Sequence, residues 1–89
     1  MLERSELEAF LILAEELHFG RTADRMRVST GRVSQIIRRL ERRVGGRLFD
    51  RSSRCVDLTP IGRDLHARVL PAVQQIRTAL REAREQAAN

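Results

Sequence analysis

Eighty-nine residues make one small domain with a limited core and leave room for no second module. With no Trp, no Tyr and only Phe10, Phe19 and Phe49, the chain lacks the aromatic platforms on which single strands and RNA loops stack. Its net charge of +5 is unevenly spread, −4 over residues 1–20, +8 over 21–54 and +1 over 55–89, which is the footprint of a nucleic-acid binder centred on the middle of the chain.

Ser5-Glu6-Leu7-Glu8 has the form of a capping box, with Ser5 as cap and Glu8 reaching back, and predicts a first helix to about Leu17. Leu7, Phe10, Leu11, Ala14 and Leu17 would line one face, with Glu15 and Glu16 outward. Ile12 and Leu13 widen the apolar surface, for burial in this domain or against a partner subunit. His18-Phe19-Gly20 breaks the pattern, and Gly20 is the expected cap of a short second helix from Arg21 to about Arg27. Thr22, Ala23 and Met26 would face inward, and residues 27–29 form a turn.

The third helix, about 30–45, is the centre of the chain. Val33, Ile36, Ile37, Leu40 and Val44 recur at three- and four-residue steps and form one apolar stripe. Arg32, Ser34, Gln35, Arg38, Arg39 and Arg42 occupy the other face. Ser29 is a suitable cap, and Gly45-Gly46 supplies the backbone freedom that ends a helix. One side of such a helix requires a core and the other a polyanion, so it reads as a DNA recognition helix; the alternative is a solvated basic face. The second and third helices have the layout of a helix-turn-helix, with Ala23 at their crossing. Many such motifs place Gly four residues after that alanine, where this chain has Arg27.

Residues 47–51 and 55–58 read as two short strands around Ser52-Ser53-Arg54, a hairpin wing over 48–58 whose tip carries Arg51 and Arg54 toward the DNA backbone or minor groove. The alternative is an ordinary solvated turn. Thr59-Pro60 is a helix start, because proline's missing amide costs nothing at the first position. The long helix that follows runs to about Gln86, with Pro71 expected to bend it. Val69, Val73, Ile76, Leu80, Ala83 and Ala87 form a heptad seam, a candidate homodimer interface.

The remaining chemistry is sparse. Cys55 is the only cysteine, so no intrachain disulfide or Cys-based zinc site can form. His18 and His66 lack a metal spacing and read as surface or packing residues. No catalytic grouping, phosphate-cradling Gly loop or metal set is present, so an enzyme is not expected. No apolar run approaches a membrane span and no signal peptide opens the chain, which gives a cytoplasmic expectation with no membrane partner.

From residue 2 to about 76 the chain resembles the N-terminal DNA-binding domain of LysR-type transcriptional regulators. The resemblance is carried by Phe10, Ala14-Glu15, Phe19, Arg21, Ala23, Val28-Ser29, Val33-Ser34, Ile37, Arg39-Leu40-Glu41, Gly45, Leu48-Phe49, Arg51, Leu58-Thr59 and Gly62. It implies a mainly α winged helix-turn-helix over residues 1–59 and a linker and dimerisation helix over 60–89. It also implies a dimeric bacterial regulator, with tetramers possible at full length. The family commonly has Gln-Pro where this chain has Thr30-Gly31, and Ser-Phe-Thr where it has His18-Phe19-Gly20. The effector-binding domain implied by the family is absent from these 89 residues, an excised domain being the expectation, and a small-molecule inducer would bind there; no cofactor is expected in this chain.

On this reading two recognition helices enter major grooves of a dyad-symmetric duplex. Thr30, Gly31, Arg32, Ser34, Gln35 and Arg38 are the DNA-reading candidates, and Arg21, Arg51 and Arg54 the phosphate contacts. Arg42 and Arg43 are expected on phosphates or in ion pairs near Glu41. Two rivals stay open: a module whose basic face meets an acidic protein, and an architectural binder without sequence preference.

Overall fold

The computed structural model describes residues 2–52 and 55–89. Three helices, α1 (Arg4–Glu16), α2 (Phe19–Met26) and α3 (Thr30–Val44), are followed by strands β1 (Phe49–Asp50) and β2 (Asp57–Leu58) and by helix α4 (Pro60–Ala88). This is a winged helix-turn-helix continued by one long helix.

The helix starts are set by their caps, two of them not where the sequence suggested. Glu3, rather than Ser5, caps α1; its box partner is Glu6, whose Oε1 accepts the Glu3 amide at 2.9 Å, and Ser5 lies inside the helix. His18, rather than Gly20, caps α2, its Nδ1 accepting the Arg21 amide at 2.9 Å. Ser29 and Thr59 cap α3 and α4 as expected, accepting from Arg32 and Gly62 at 3.1 Å. Each such cap satisfies an amide that has no carbonyl within its helix. Gly45 ends α3 at φ 87, in the left-handed region glycine enters without steric cost.

The core is Ala9, Phe10, Leu13, Ala23, Val33, Ile36, Ile37, Leu40, Leu48 and Phe49. The α3 stripe is buried as its spacing predicts, except Val44, which is 45% exposed. On α1 the buried face is turned by about one residue from the expected one. Glu6, Ala9, Phe10 and Leu13 are buried, Leu7, Leu11 and Ala14 only half-buried, and Leu17 is exposed. Both registers are apolar, so periodicity alone could not choose between them; packing against α2 and α3 did. Phe10 meets Phe49 edge-to-face at 5.8 Å, a geometry worth about 0.5–1.5 kcal/mol beyond burial. His66 packs its ring against the same Phe10 at 6.1 Å.

The hairpin is short and antiparallel, with Phe49 opposite Leu58 and Asp50 opposite Asp57. Its base is fastened to α4: the Thr59 amide donates to the Leu48 carbonyl at 3.0 Å, and its hydroxyl to the Arg47 carbonyl at 2.6 Å. Gly62 is buried beneath, where a Cβ would collide with that same Leu48 carbonyl oxygen. Beyond this junction α4 runs unbroken through Pro71. Twenty-nine residues at 1.5 Å each make it about 43 Å long, which accounts for most of the 52 Å long axis of the molecule.

Candidate nucleic-acid interface

Val33, Ile36, Ile37 and Leu40 anchor one side of α3 in the core, so the opposite side is held outward as a rigid rail. At 100° per residue, Gly31, Gln35, Arg38 and Arg42 fall within about 60° of one another, and all four are exposed. Thr30 lies exposed at the helix start, and Ser34, half-buried, borders the rail. Arg32 does not share this face; it lies on the other flank with Arg39, whose Nη1 donates to Glu3 Oε2 at 3.3 Å. Arg43 is likewise drawn back to α1, its Nε 3.3 Å from Glu6. Arg42 is thus separated from Arg43, although the two are adjacent in sequence.

The expected phosphate contacts sort differently. Arg21 leans on Glu16, through Oε1 at 3.1 Å and the carbonyl at 3.2 Å. Arg25 pairs with both Glu15 and Glu16, at 3.3 and 3.0 Å. The Arg25 hydrogen bond, reinforced by Arg21, outweighs burial and holds Glu16 below the ordinary carboxylate value. Among the described residues, Arg27, Arg32, Arg38 and Arg42 have no carboxylate within ion-pair reach. Arg4, Arg77 and Arg84 are also unpaired among the described residues, but they lie apart on α1 and α4, whereas these four cluster on α3 and the turn before it.

Arg51 is not at a free wing tip. Its guanidinium lies 4.9 Å over the Phe19 ring and its Nη2 is 3.5 Å from Glu41 Oε1, so it ties α2, α3 and the wing together. Burial, with Arg47 and Arg38 nearby, pulls its pKa down against the opposing pull of Glu41, and its Nε is enclosed without a hydrogen-bond partner. Arg38, Glu41, Arg42, Gly45, Gly46, Arg47 and Arg51 line the groove between α3 and the wing. Arg54 lies outside the described residues.

Glu41 was not among the expected site residues, yet it organises this region. Buried on α3, it accepts the Leu48 amide at 2.8 Å and the Phe49 amide at 3.3 Å. The sequence carried a signal for it: Glu41 follows Ile37 by four residues, and so sits on the apolar stripe where a lone carboxylate needs partners. Glu6, four residues before Phe10, is the same case on α1.

The expected seam of α4 divides in two. Val69 lies half-buried in an apolar hollow with Leu7, Phe10, Leu40 and Leu65. Val73 lines a groove between α1 and α4 with Leu7, Leu11 and Ile12, and Ile76 borders the same groove at its outer end. Farther along, Ile76 and Leu80 are 59% and 55% exposed, and Ala83 is exposed. Among the described residues no helix is long and apolar enough to cross a membrane. Among the described residues no group of three or more His, Cys, Asp or Glu is placed to hold a metal ion.

Comparison with known proteins places this architecture. The chain is 50% identical over 68 residues to the HTH-type transcriptional regulator ShiR of Corynebacterium glutamicum, covering 74% of this chain and 23% of that protein. It is 42% identical over 79 residues to the HTH-type transcriptional regulator IlvY of Escherichia coli, covering 85% of this chain and 27% of the relative. It thus spans about a quarter of the length of these relatives. The structure superimposes on the BenM DBD of a catB site 1 DNA complex with a TM-score of 0.91 and 25% identity, over 99% of both chains. A full-length OxyR variant from Pseudomonas aeruginosa matches all of this chain, and 30% of its own, with a TM-score of 0.85 and 34% identity. The family model for bacterial regulatory helix-turn-helix proteins of the lysR family matches residues 5–63, and the chain belongs to that family.

Proposed function

We propose that this chain is the DNA-binding part of a bacterial transcriptional regulator and reads double-stranded DNA in a sequence-specific way. The observation that carries the reading is the α3 rail: anchored behind by four buried aliphatic residues, it presents Gln35, Arg38 and Arg42, with no carboxylate among the described residues to neutralise the two arginines. A helix of this kind fits a major groove, where Arg38 recognises guanine through two parallel hydrogen bonds and Gln35 recognises adenine. Thr30 and Ser34 add donors at the rail's edge, and Gly31 admits close approach of the duplex. Arg32 holds a phosphate from the flank and Arg42 another from the far end of the rail, and Arg54 and the groove beside Arg51 hold the backbone next to the wing. The BenM DBD, of the same fold, is in complex with DNA, which supports this assignment.

Two copies pair through the outer part of α4, where Ile76, Leu80 and Ala83 present an apolar line to solvent. Pairing sets the spacing of two recognition helices and makes the operator two-fold symmetric. In a regulator of the length of the relatives, a separate effector-binding domain responds to a small-molecule inducer, and the role of this chain is binding rather than catalysis.

Selection from a random duplex library at about 150 mM salt, with the chain's mass measured alongside, tests the reading. A two-fold symmetric motif bound by a dimer is the expected result. Salt-sensitive binding without a motif would leave only the backbone component and sink sequence-specific recognition. Arg38→Ala should relax preference at one base pair by about 1–3 kcal/mol.

A further inference from the structure

Arg27 closes α2 in the left-handed region, at φ 59 and ψ 45. Its amide donates to the Asp24 carbonyl at 3.2 Å, and the Val28 amide reaches back to the Ala23 carbonyl at 3.1 Å. Glycine makes this kind of helix end most easily, because a Cβ crowds the following carbonyl there. The fold of the turn therefore asks for glycine at 27, and an arginine weakens it. Leu17 ends α1 in the same region, at φ 51, so conformation alone does not single out a function. Charge and position do.

Arg21 and Arg25, on the preceding helix, are held by Glu15 and Glu16. Arg27 is exposed and has no carboxylate within ion-pair reach among the described residues. It stands two residues before Ser29, the cap of the recognition helix, where the helix dipole adds positive charge. A helix seated in a major groove about 12 Å wide puts the turn before it against the groove wall, and phosphates are what that wall presents.

We propose that Arg27 is a further DNA contact, gripping a backbone phosphate beside the entry of α3, at the expense of the turn's own stability. The assignment rests on the DNA-binding reading above. Arg27 fixes the register of the recognition helix and reads no base. A planar guanidinium on a long stem suits a phosphate oxygen pair, and the turn fixes the stem's origin.

The test is Arg27→Gly in the 89-residue chain, bound to the duplex that the parent selects. The thermal midpoint should rise by a few degrees, because glycine relieves the left-handed strain. Affinity should fall on the order of tenfold, and the slope of log K against log salt should lose about 0.9, the value of one phosphate. The selected motif should not change. Opposite movements of stability and affinity cannot come from a folding defect. Arg27→Lys should keep most of the salt slope. An Arg27→Gly chain with parental affinity and slope overturns the assignment while leaving the regulator reading intact; an altered motif overturns it too, by making Arg27 a base reader. A parent chain that binds no duplex at all overturns both.

Discussion

The Glu41 carboxylate accepts the Leu48 amide at 2.8 Å, fastening the last turns of the recognition helix to the first residue of the wing's core. A second bond from the Phe49 amide and the approach of Arg51 and, at 3.9 Å, of Arg47 surround it. Glu41→Ala would leave two enclosed amides and part of the Arg51 guanidinium without an acceptor. A loss of about 2–4 kcal/mol is expected, since bonds to a charged group are among the stronger ones and buried donors left unpaired add their own cost. Glu41→Gln keeps one acceptor oxygen and should lose less. Urea unfolding at pH 7 gives both values, and an alanine variant as stable as the parent would mean the carboxylate is not what holds the wing.

Acid should weaken the domain through Glu6. Burial pushes its carboxyl up, but the Glu3 amide and the Arg43 guanidinium outweigh it and hold the group below the ordinary value of 4.5. The folded chain then binds fewer protons than the unfolded chain in that range. The stabilisation is fully present above about pH 4.5 and is lost as pH falls through the lower, folded value. Glu16 and Asp50, also held low, add in the same direction. Glutamine mimics the protonated acid, so the stability gap between the parent and Glu6→Gln should narrow on acidification. A gap that stays constant from pH 7 to pH 3 would assign the acid sensitivity to other groups.

Gly62→Ala should cost about 1–3 kcal/mol or more, because its Cβ would collide with the Leu48 carbonyl oxygen, which is tied to the Thr59 amide, and would also crowd Leu58 Cδ2 at 3.1 Å. Gly46→Ala is the matched comparison. Its Cβ meets the end of the flexible Ile61 side chain at 3.3 Å, which can turn aside. Thermal melts of the two variants should separate by several degrees, and equal melting points would contradict the collision at Gly62.

Leu80→Arg should convert a dimer to monomer with no loss of folding, because Leu80 is 55% exposed and supports no part of the core. Sedimentation and circular dichroism on one sample separate the two effects. A variant that still sediments as a dimer would move the interface off the outer part of α4.

Sequence alone determined the elements whose signal is local. The α3 stripe, its Ser29 cap and Gly45 stop, and the Thr59-Pro60 start of α4 each depend on residues within a few positions, and all four stand where their spacing puts them, the exposed Val44 at the end of the stripe apart. The basic character of the middle of the chain was equally legible, since charge can be counted before any fold is known.

What only the tertiary structure decided is which of two possible partners each side chain takes. α1 carries two adjacent apolar registers, and the choice of Ala9, Phe10 and Leu13 for the core follows from the surfaces of α2 and α3. The caps Glu3 and His18 won over Ser5 and Gly20 because their side chains reach helix amides once the backbone enters in extended form. Arginines that look equivalent in sequence divided by the carboxylates across from them: Arg39 and Arg43 turned back to Glu3 and Glu6, Arg51 to Glu41, while Arg38 and Arg42 kept their charge for the outside. Those pairings join residues up to 37 positions apart, and a pattern read within a few turns of helix holds no information at that range.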